Sequence, residues 1–327
     1  MPNTVEMTIV KAINAGIRKA MADNDKVLVF GEDVAALGGV FRVTEGILAE
    51  FGPKRIFNSP IAEAGIVGTG IGLAMRGYRP VAEIQFDGFI FPAFNQITTQ
   101  LAKMHNRSEG ATKMPMVIRV PYGGGIGAIE HHSESPEAYF AHTPGLRVIS
   151  PSNPNDAYWM IQQAIASEDP VLFFEPKRRY WQKGPVDLAN PPAGMHQAAV
   201  LRQGKDVTIA AYGPMVATAL QAAEIAAEEG TSIEVIDLRS ISPIDFTAII
   251  ESVKKTGRLV VAQEASNFVS VGSEIAARVS EQAFFHLEAP VLRVGGFDVP
   301  YPPAKLEEQF LPDADRILEA VDRILAY

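Results

Sequence analysis

The 327-residue chain is 47% hydrophobic and 20% charged, and 29 Lys and Arg against 38 Asp and Glu give a net charge of −9. The absence of cysteine excludes disulfides, thiolate metal sites, iron–sulfur clusters and cysteine nucleophiles, while the acidic balance argues against general nucleic-acid binding and against adhesion to anionic membranes. Met1-Pro2-Asn3-Thr4 is neither a secretory signal nor the start of an Arg-rich transit helix, and the longest uncharged run, 207–223, is split by Gly213-Pro214 and too short to span a bilayer, so the expectation is a cytoplasmic protein.

Residues 8–23 carry apolar positions at helical spacing, and the run 27–30 reads as a buried strand ending in Gly31-Glu32-Asp33. A helix is predicted over 62–75, with Ser59 as its cap and Pro60 at its first position. Strands follow at 80–84 and at 116–120, the second ended by Pro121-Tyr122-Gly123, then a helix at 155–167 and a strand at 171–174. From Gly184-Pro185 to Pro192 the chain is polar and rich in breakers, which predicts a linker. The expected division is a first domain at 1–185, a linker at 186–200 and a second domain at 201–327. In the second, strands at 207–212, 233–238, 258–263 and 290–294 alternate with helices at 215–229, 245–255, 272–284 and 314–325. Such alternation predicts an α/β fold of two domains, each a mainly parallel sheet flanked by helices. Ligands in such folds bind beyond the C-terminal ends of strands. Chemistry is therefore expected in three segments: 31–33, 85–91 and 123–132.

Neither a Walker sequence nor a G-x-S-x-G elbow occurs. Gly68-Thr69-Gly70-Ile71-Gly72 fails the dinucleotide fingerprint, because Leu73 holds the last glycine position and no strand runs directly into it. Gly65, Gly68 and Gly72 fall on one side of the predicted helix, where another helix could approach closely, within the chain or across a subunit boundary. Glu63 is the one acid before that small-residue stretch. It is either an ordinary first-turn acid favoured by the helix dipole, or a carboxyl group in an apolar pocket, raised in pKa and usable as a proton donor. His132, in Glu130-His131-His132-Ser133-Glu134, is an acid/base candidate because histidine titrates near neutrality. A metal reading with His131, His142, Glu130 and Glu134 lacks a spaced pair that would set two ligands on one helical face, and a surface histidine pair is the plainest reading. Phe86, Phe89, Phe91 and Phe94 are core residues or a platform for a planar ring.

Taken together, 59–72, 81–96 and 132–146 with Pro151 resemble the beta subunit of the thiamin-diphosphate-dependent decarboxylating component of 2-oxo acid dehydrogenase complexes, nearly end to end. The run from His132 to His142, with Phe173-Phe174-Glu175-Pro176-Lys177, is more similar to the branched-chain enzymes than to the pyruvate enzymes. The resemblance implies a thiamin-diphosphate pyrimidine-binding domain followed by a transketolase C-terminal-like domain. By this resemblance Glu63 matches the glutamate that hydrogen-bonds N1′ of the aminopyrimidine, and Phe89 the aromatic that stacks on that ring. Gln85 lies one pleat away as a further contributor. His132 matches the histidine that orients or protonates the incoming lipoyl group. The resemblance also implies a monovalent cation held through loops, an α₂β₂ heterotetramer with an alpha subunit, and transfer of the acyl group to a lipoyl-bearing acyltransferase core that docks on the C-terminal region. Thiamin enzymes hold Mg²⁺ and the diphosphate with a G-D-G motif followed by Asn. The near match here, Phe86-Asp87-Gly88, lacks the leading glycine, so the alpha subunit is expected to hold the metal. Two rival readings are a non-catalytic scaffold subunit of the same fold and a self-sufficient metal hydrolase built on Glu130, His131 and His132.

Overall fold

Apolar runs are buried on both faces where helices cover a parallel sheet, and most strands of this chain are of that kind. The computed structural model describes residues 4–327. The chain opens with β1 (Thr4–Thr8) and α1 (Ile9–Asp23), where the Lys11 amide donates to Thr8 Oγ1 at 3.2 Å. Next come β2 (Val27–Gly31), α2 (Ile47–Phe51), β3 (Ile56–Asn58), α3 (Glu63–Met75) and β4 (Arg79–Glu83). A 3₁₀ turn (Asp87–Ala93) and a π turn (Gln96–Leu101) lead into α4 (Ala102–Arg107) and β5 (Val117–Tyr122). The first half continues with α5 (Glu137–Ala141), β6 (Arg147–Ile149), α6 (Pro154–Ala166), β7 (Val171–Pro176) and β8 (Lys183–Asp187). The second half comprises β9 (Ala199–Arg202), β10 (Val207–Ala211), α7 (Met215–Glu228), β11 (Ile233–Asp237), β12 (Ser240–Ser242), α8 (Phe246–Thr256), β13 (Leu259–Ser266), α9 (Val271–Gln282), β14 (Leu292–Gly296), α10 (Glu307–Phe310) and α11 (Ala314–Leu325). Among the described residues no helix is long and apolar enough to cross a membrane.

The two predicted sheets are present, each mainly parallel and flanked by helices. The first has the order β12-β6-β7-β5-β4-β2-β3 and is parallel except where β12 meets β6. The second has the order β14-β13-β10-β11-β9 and is parallel except where β9 meets β11. The halves are not independent. β12 comes from the second half yet forms an edge of the first sheet. One apolar cluster runs from Tyr122, Phe140 and Phe174 in the first half to Tyr212, Ile236 and Ile249 in the second.

Three expectations need correction. The breaker-rich segment from Gly184 is ordered at its start: β8 pairs antiparallel with β1, with Glu6 opposite Pro185. Proline is compatible with that isolated two-stranded ribbon because an edge residue need not donate. β5 does not stop at Val120 but pairs with β7 through Tyr122. Arg119 faces β4, where its carbonyl accepts from Ile84 N, and β4 ends opposite Arg119. Pro121, two residues on, therefore points its missing N–H to the side where no strand remains. Ser59 does not cap α3. Its amide donates to Gly31 O at 2.8 Å, continuing the β2–β3 pairing, and the helix begins only at Glu63, without a side-chain cap. The face of Gly65, Gly68 and Gly72, expected to meet a helix within the chain or across a subunit boundary, meets none among the described residues: a Cβ at Gly68 or Gly72 would touch nothing, whereas at Gly70 it would strike Met116, which leaves the subunit-boundary alternative.

Candidate active site

β5, β4 and β2 are adjacent in the first sheet, so the segments that follow them share one rim of it. From β2 the chain passes into Glu32 and Asp33, from β4 into Gln85, Phe86 and Phe89, and from β5 into the glycine loop that ends at His131 and His132. Two neighbouring groups result.

The first is a set of carboxylates. Glu63, the first residue of α3, is half-buried, and Glu32 is 6% exposed with its Oε1 buried and unpartnered. The Glu32 carboxyl is raised above the usual carboxylate range, first by burial and then by the charges of Glu63, Asp33 and Glu83. Glu63 is thus not alone in an apolar pocket; its surroundings include other acids. Asp33 joins this group to the next, accepting from Gln85 Nε2 at 3.4 Å. Beneath lies a buried layer of one cation between two acids: Arg119 donates to Glu83 Oε2 at 2.6 Å and, bidentate, to Glu175 at 2.7 and 3.0 Å, with the Tyr180 hydroxyl also on Glu175 at 2.5 Å. A planar guanidinium fork suits two carboxylates well, and this pairing holds the C-terminal ends of three strands in register.

The second group is aromatic. His132 packs edge-on against Phe86 (ring centroids 4.3 Å) and Phe89 (5.1 Å) and lies beside His131 (4.7 Å). A Cβ on Gly88 would collide with the backbone and side chain of His131, so only glycine lets the two segments touch. The His132 imidazole is held below its ordinary pKa by burial, then by His131 and Lys177, with Glu130 opposing. It is therefore largely neutral near pH 7, and its Nδ1 is buried without a partner.

Asp87, the acid of the near-miss metal motif, is fully buried; it pairs with Lys177 and accepts the Glu134 amide at 2.6 Å. Its oxygens are committed to the protein. His142 lines a different cleft, with Ile241, Phe246 and Glu274. The proposed grouping of His131, His132 and His142 is therefore not brought together, and among the described residues no group of three or more His, Asp or Glu is arranged around a metal ion.

Of the sequence-derived site residues, Phe89 and His132 are in direct contact, while Gln85 and Glu63 are linked through Asp33 and Glu32. Sequence reasoning missed Glu32. Its signal was present, as Gly31-Glu32-Asp33 ends a strand, but its burial beside Glu63 is tertiary.

A parallel-sheet first half with acids and aromatics at its strand ends, followed by a second parallel sheet, defines a transketolase-like chain. Residues 5–182 match the transketolase pyrimidine binding domain, and residues 196–317 the transketolase C-terminal domain. A solved chain described as a split-gene transketolase in an inactive beta4 tetramer superposes with a TM-score of 0.80 at 27% identity, covering 98% of each chain. Within that class, the chain belongs to the beta subunits of the decarboxylating (E1) components of 2-oxo acid dehydrogenase complexes. It is 66% identical to the pyruvate dehydrogenase E1 component subunit beta of Leifsonia xyli, over 100% of this chain and 97% of the relative. It is 52% identical to the 3-methyl-2-oxobutanoate dehydrogenase subunit beta of Mycobacterium tuberculosis, over 98% and 93%. The pyruvate dehydrogenase E1 component subunit beta of Acholeplasma laidlawii is 45% identical, over 97% and 98%.

Proposed function

We propose that this chain is the pyrimidine-holding half of a thiamin-diphosphate enzyme that oxidatively decarboxylates a 2-oxo acid and passes the acyl group to lipoyl, acting only with an alpha subunit. The observation that carries the reading is the convergence, on one rim, of an acid cluster containing Glu63 with an aromatic group containing Phe89 and His132. The residues fit the cofactor's pyrimidine half: Glu32 Oε1 and His132 Nδ1 are buried polar atoms without partners, and Phe89, partly exposed, lies beside His132. When bound, thiamin diphosphate supplies the electron-accepting ring on which loss of carbon dioxide depends.

The chain's own residues have the remaining tasks. Glu63 holds a proton at N1′ of the aminopyrimidine, and Glu32, raised in proton affinity first by burial and then by the same cluster, keeps a second proton-holding group next to it. Phe89 offers a ring face, and Gln85 an amide whose orientation Asp33 fixes. Neutral His132 can accept a proton and, once charged, is a stronger acid than an ordinary imidazolium, which suits protonation of an opening dithiolane. With both Asp87 oxygens committed and no leading glycine before it, the G-D-G…N ligand set for Mg²⁺ and the diphosphate is not completed on this chain, and these fall to the alpha subunit. The solved relative described as an inactive beta4 assembly supports the expectation that this chain alone does not turn over.

Two substrates fit. The relative at 66% identity carries the pyruvate name and favours pyruvate. The relative at 52% carries the 3-methyl-2-oxobutanoate name and, with the run from His132 to His142, favours branched-chain 2-oxo acids. Calorimetric titration of thiamin diphosphate, with and without the alpha subunit, tests the shared site; binding and turnover are expected only in the heterotetramer. Comparing kcat/KM for pyruvate and 3-methyl-2-oxobutanoate in that assembly decides the substrate. Full turnover by the isolated chain would overturn the half-site reading.

A further inference from the structure

The loop that leads to His131 and His132 is held from the second half of the chain. Gly124 N donates to Glu264 Oε1 at 2.5 Å, Gly125 N to Glu307 Oε1 at 2.9 Å and Gly127 N to Glu307 Oε2 at 2.9 Å. Glu264 lies on β13 and Glu307 opens α10, more than a hundred residues away. Both are buried, at 4% and 8% exposure. Arg178 lies 3.2 Å from Glu264, and the Tyr301 hydroxyl donates to Glu307 at 2.6 Å. The fit is close: a Cβ on Gly124 would collide with the Tyr301 hydroxyl. Gly123, Gly125 and Gly127 all have positive φ, at 82, 87 and 70°, so this stretch is not a free coil but a shaped strap. At its far end Asp87 takes the Glu134 amide. The His131–His132 segment is thus suspended between two buried anchors.

We infer that Glu307, with Tyr301, is a positioning residue for His132: by accepting the Gly125 and Gly127 amides it fixes the loop that presents the imidazole to the incoming lipoyl group. Two amides bound to one carboxylate form charge-assisted bonds, roughly twice as strong as neutral ones. Glu307 faces three donors, Gly125 N, Gly127 N and the Tyr301 hydroxyl. Glutamine has the same shape but offers one oxygen, and its NH₂ group must face an N–H. The loop then loses an anchor while the second sheet keeps its packing.

The inference rests on the proposed role of His132, so the test has two separate readouts on the full chain assembled with its alpha subunit. Hydrogen exchange is measured amide by amide in wild type, Glu307→Gln and Tyr301→Phe. Glu307→Gln is expected to speed exchange at Gly125 and Gly127 by at least ~10-fold, the scale of a lost charged hydrogen bond, with β10 and β13 unchanged; Tyr301→Phe is expected to give a smaller effect at the same amides. In parallel, transfer to lipoyl is expected to fall at least ~10-fold while decarboxylation with an artificial electron acceptor stays within ~3-fold. A general structural lesion would lower both alike. Unchanged exchange at the two amides, exchange that rises across the whole second sheet, or a loosened loop with unaltered transfer each overturns the inference. If His132→Ala itself spares transfer, the reading of His132 fails, and the anchor stands or falls on the exchange data alone.

Discussion

The Tyr212 hydroxyl donates to Glu137 Oε1 at 2.6 Å, across the seam between the two sheets, and both residues are almost fully buried. Glu137 Oε2 has no partner. Burial, the largest cause, pushes the Glu137 carboxyl up to about 7, against the lowering effect of Tyr212 and with Glu264 and Asp87 adding to the rise. In the folded protein the acid therefore keeps its proton to a higher pH than in the unfolded chain. The folded state binds more protons between the unfolded value and about 7, so this group's contribution to stability declines as pH rises through that window.

Glu137→Gln removes the titration while leaving an oxygen for Tyr212. The variant is expected to gain stability relative to wild type by up to ~3 kcal/mol at pH 8, and little at pH 4. Denaturant midpoints across pH 4–8 check this. Asp237, also pushed up to about 7 by burial and by Asp156, contributes the same sign in both proteins and cancels in the difference. A constant offset between the two proteins at all pH values would mean that Glu137 ionises normally.

For the acid cluster, Glu63→Gln is expected to leave assembly intact and lower turnover at least ~10²-fold, the scale of a lost acid–base group. Near-wild-type turnover in the heterotetramer would return Glu63 to the role of a first-turn helix acid. Glu32→Gln is expected to cost less, ~10-fold, and to move the acid limb of the pH–rate profile to lower pH. Glu32 is an acid of this cluster that burial and its neighbours hold above the usual carboxylate range, and glutamine removes its ionisation from the profile. An unmoved acid limb would separate Glu32 from the chemistry.

His132→Ala is expected to spare decarboxylation, measured with an artificial acceptor, more than transfer to lipoyl. Loss of carbon dioxide relies on the cofactor, whereas opening a dithiolane needs a nearby proton donor. Equal losses in the two assays would count against this division.

Much of the architecture was legible because its signals are local. The runs that became β2, β10 and most of β13 are largely apolar and bounded by breakers, as strands covered on both faces must be. α11 matches its predicted bounds because Asp313 caps it, accepting the Arg316 amide at 2.9 Å. What was not legible depends on partners distant in sequence. Ser240–Ser242 has no apolar run, and it is a strand only because β6 presents an edge. Lys183–Asp187 reads as a linker until β1 lies beside it. In the site, Glu63, Gln85, Phe89 and His132 stood out through family resemblance. Glu32, Glu264 and Glu307 did not, because surface-type residues acquire their roles only when folding buries them against a specific donor or charge.

The C-terminal acids give the remaining prediction. Asp313 and Asp315 are exposed at the start of α11 and, with Glu308, line a cleft that also includes Thr218, Gln221 and Arg178. Family resemblance places docking of a basic domain of the acyltransferase core in this region, and an acidic rim on a chain of net charge −9 would steer such a partner. Asp313 also caps the helix, so reversing it would cost ~1 kcal/mol of helix stability and confuse the result. Asp313→Asn keeps the cap and removes the charge; combined with Asp315→Asn, which puts no cation in the first helical turn, it tests steering. The association rate with the acyltransferase core is expected to fall several-fold at low salt. The difference from wild type should shrink as ionic strength rises, because exposed charges are screened beyond roughly 10 Å at 0.1 M. Decarboxylation by the free heterotetramer should be unchanged. Stopped-flow association measured across salt concentrations decides the matter: a rate independent of both salt and the double substitution would make the rim an ordinary solvated surface and place docking elsewhere on the second half of the chain.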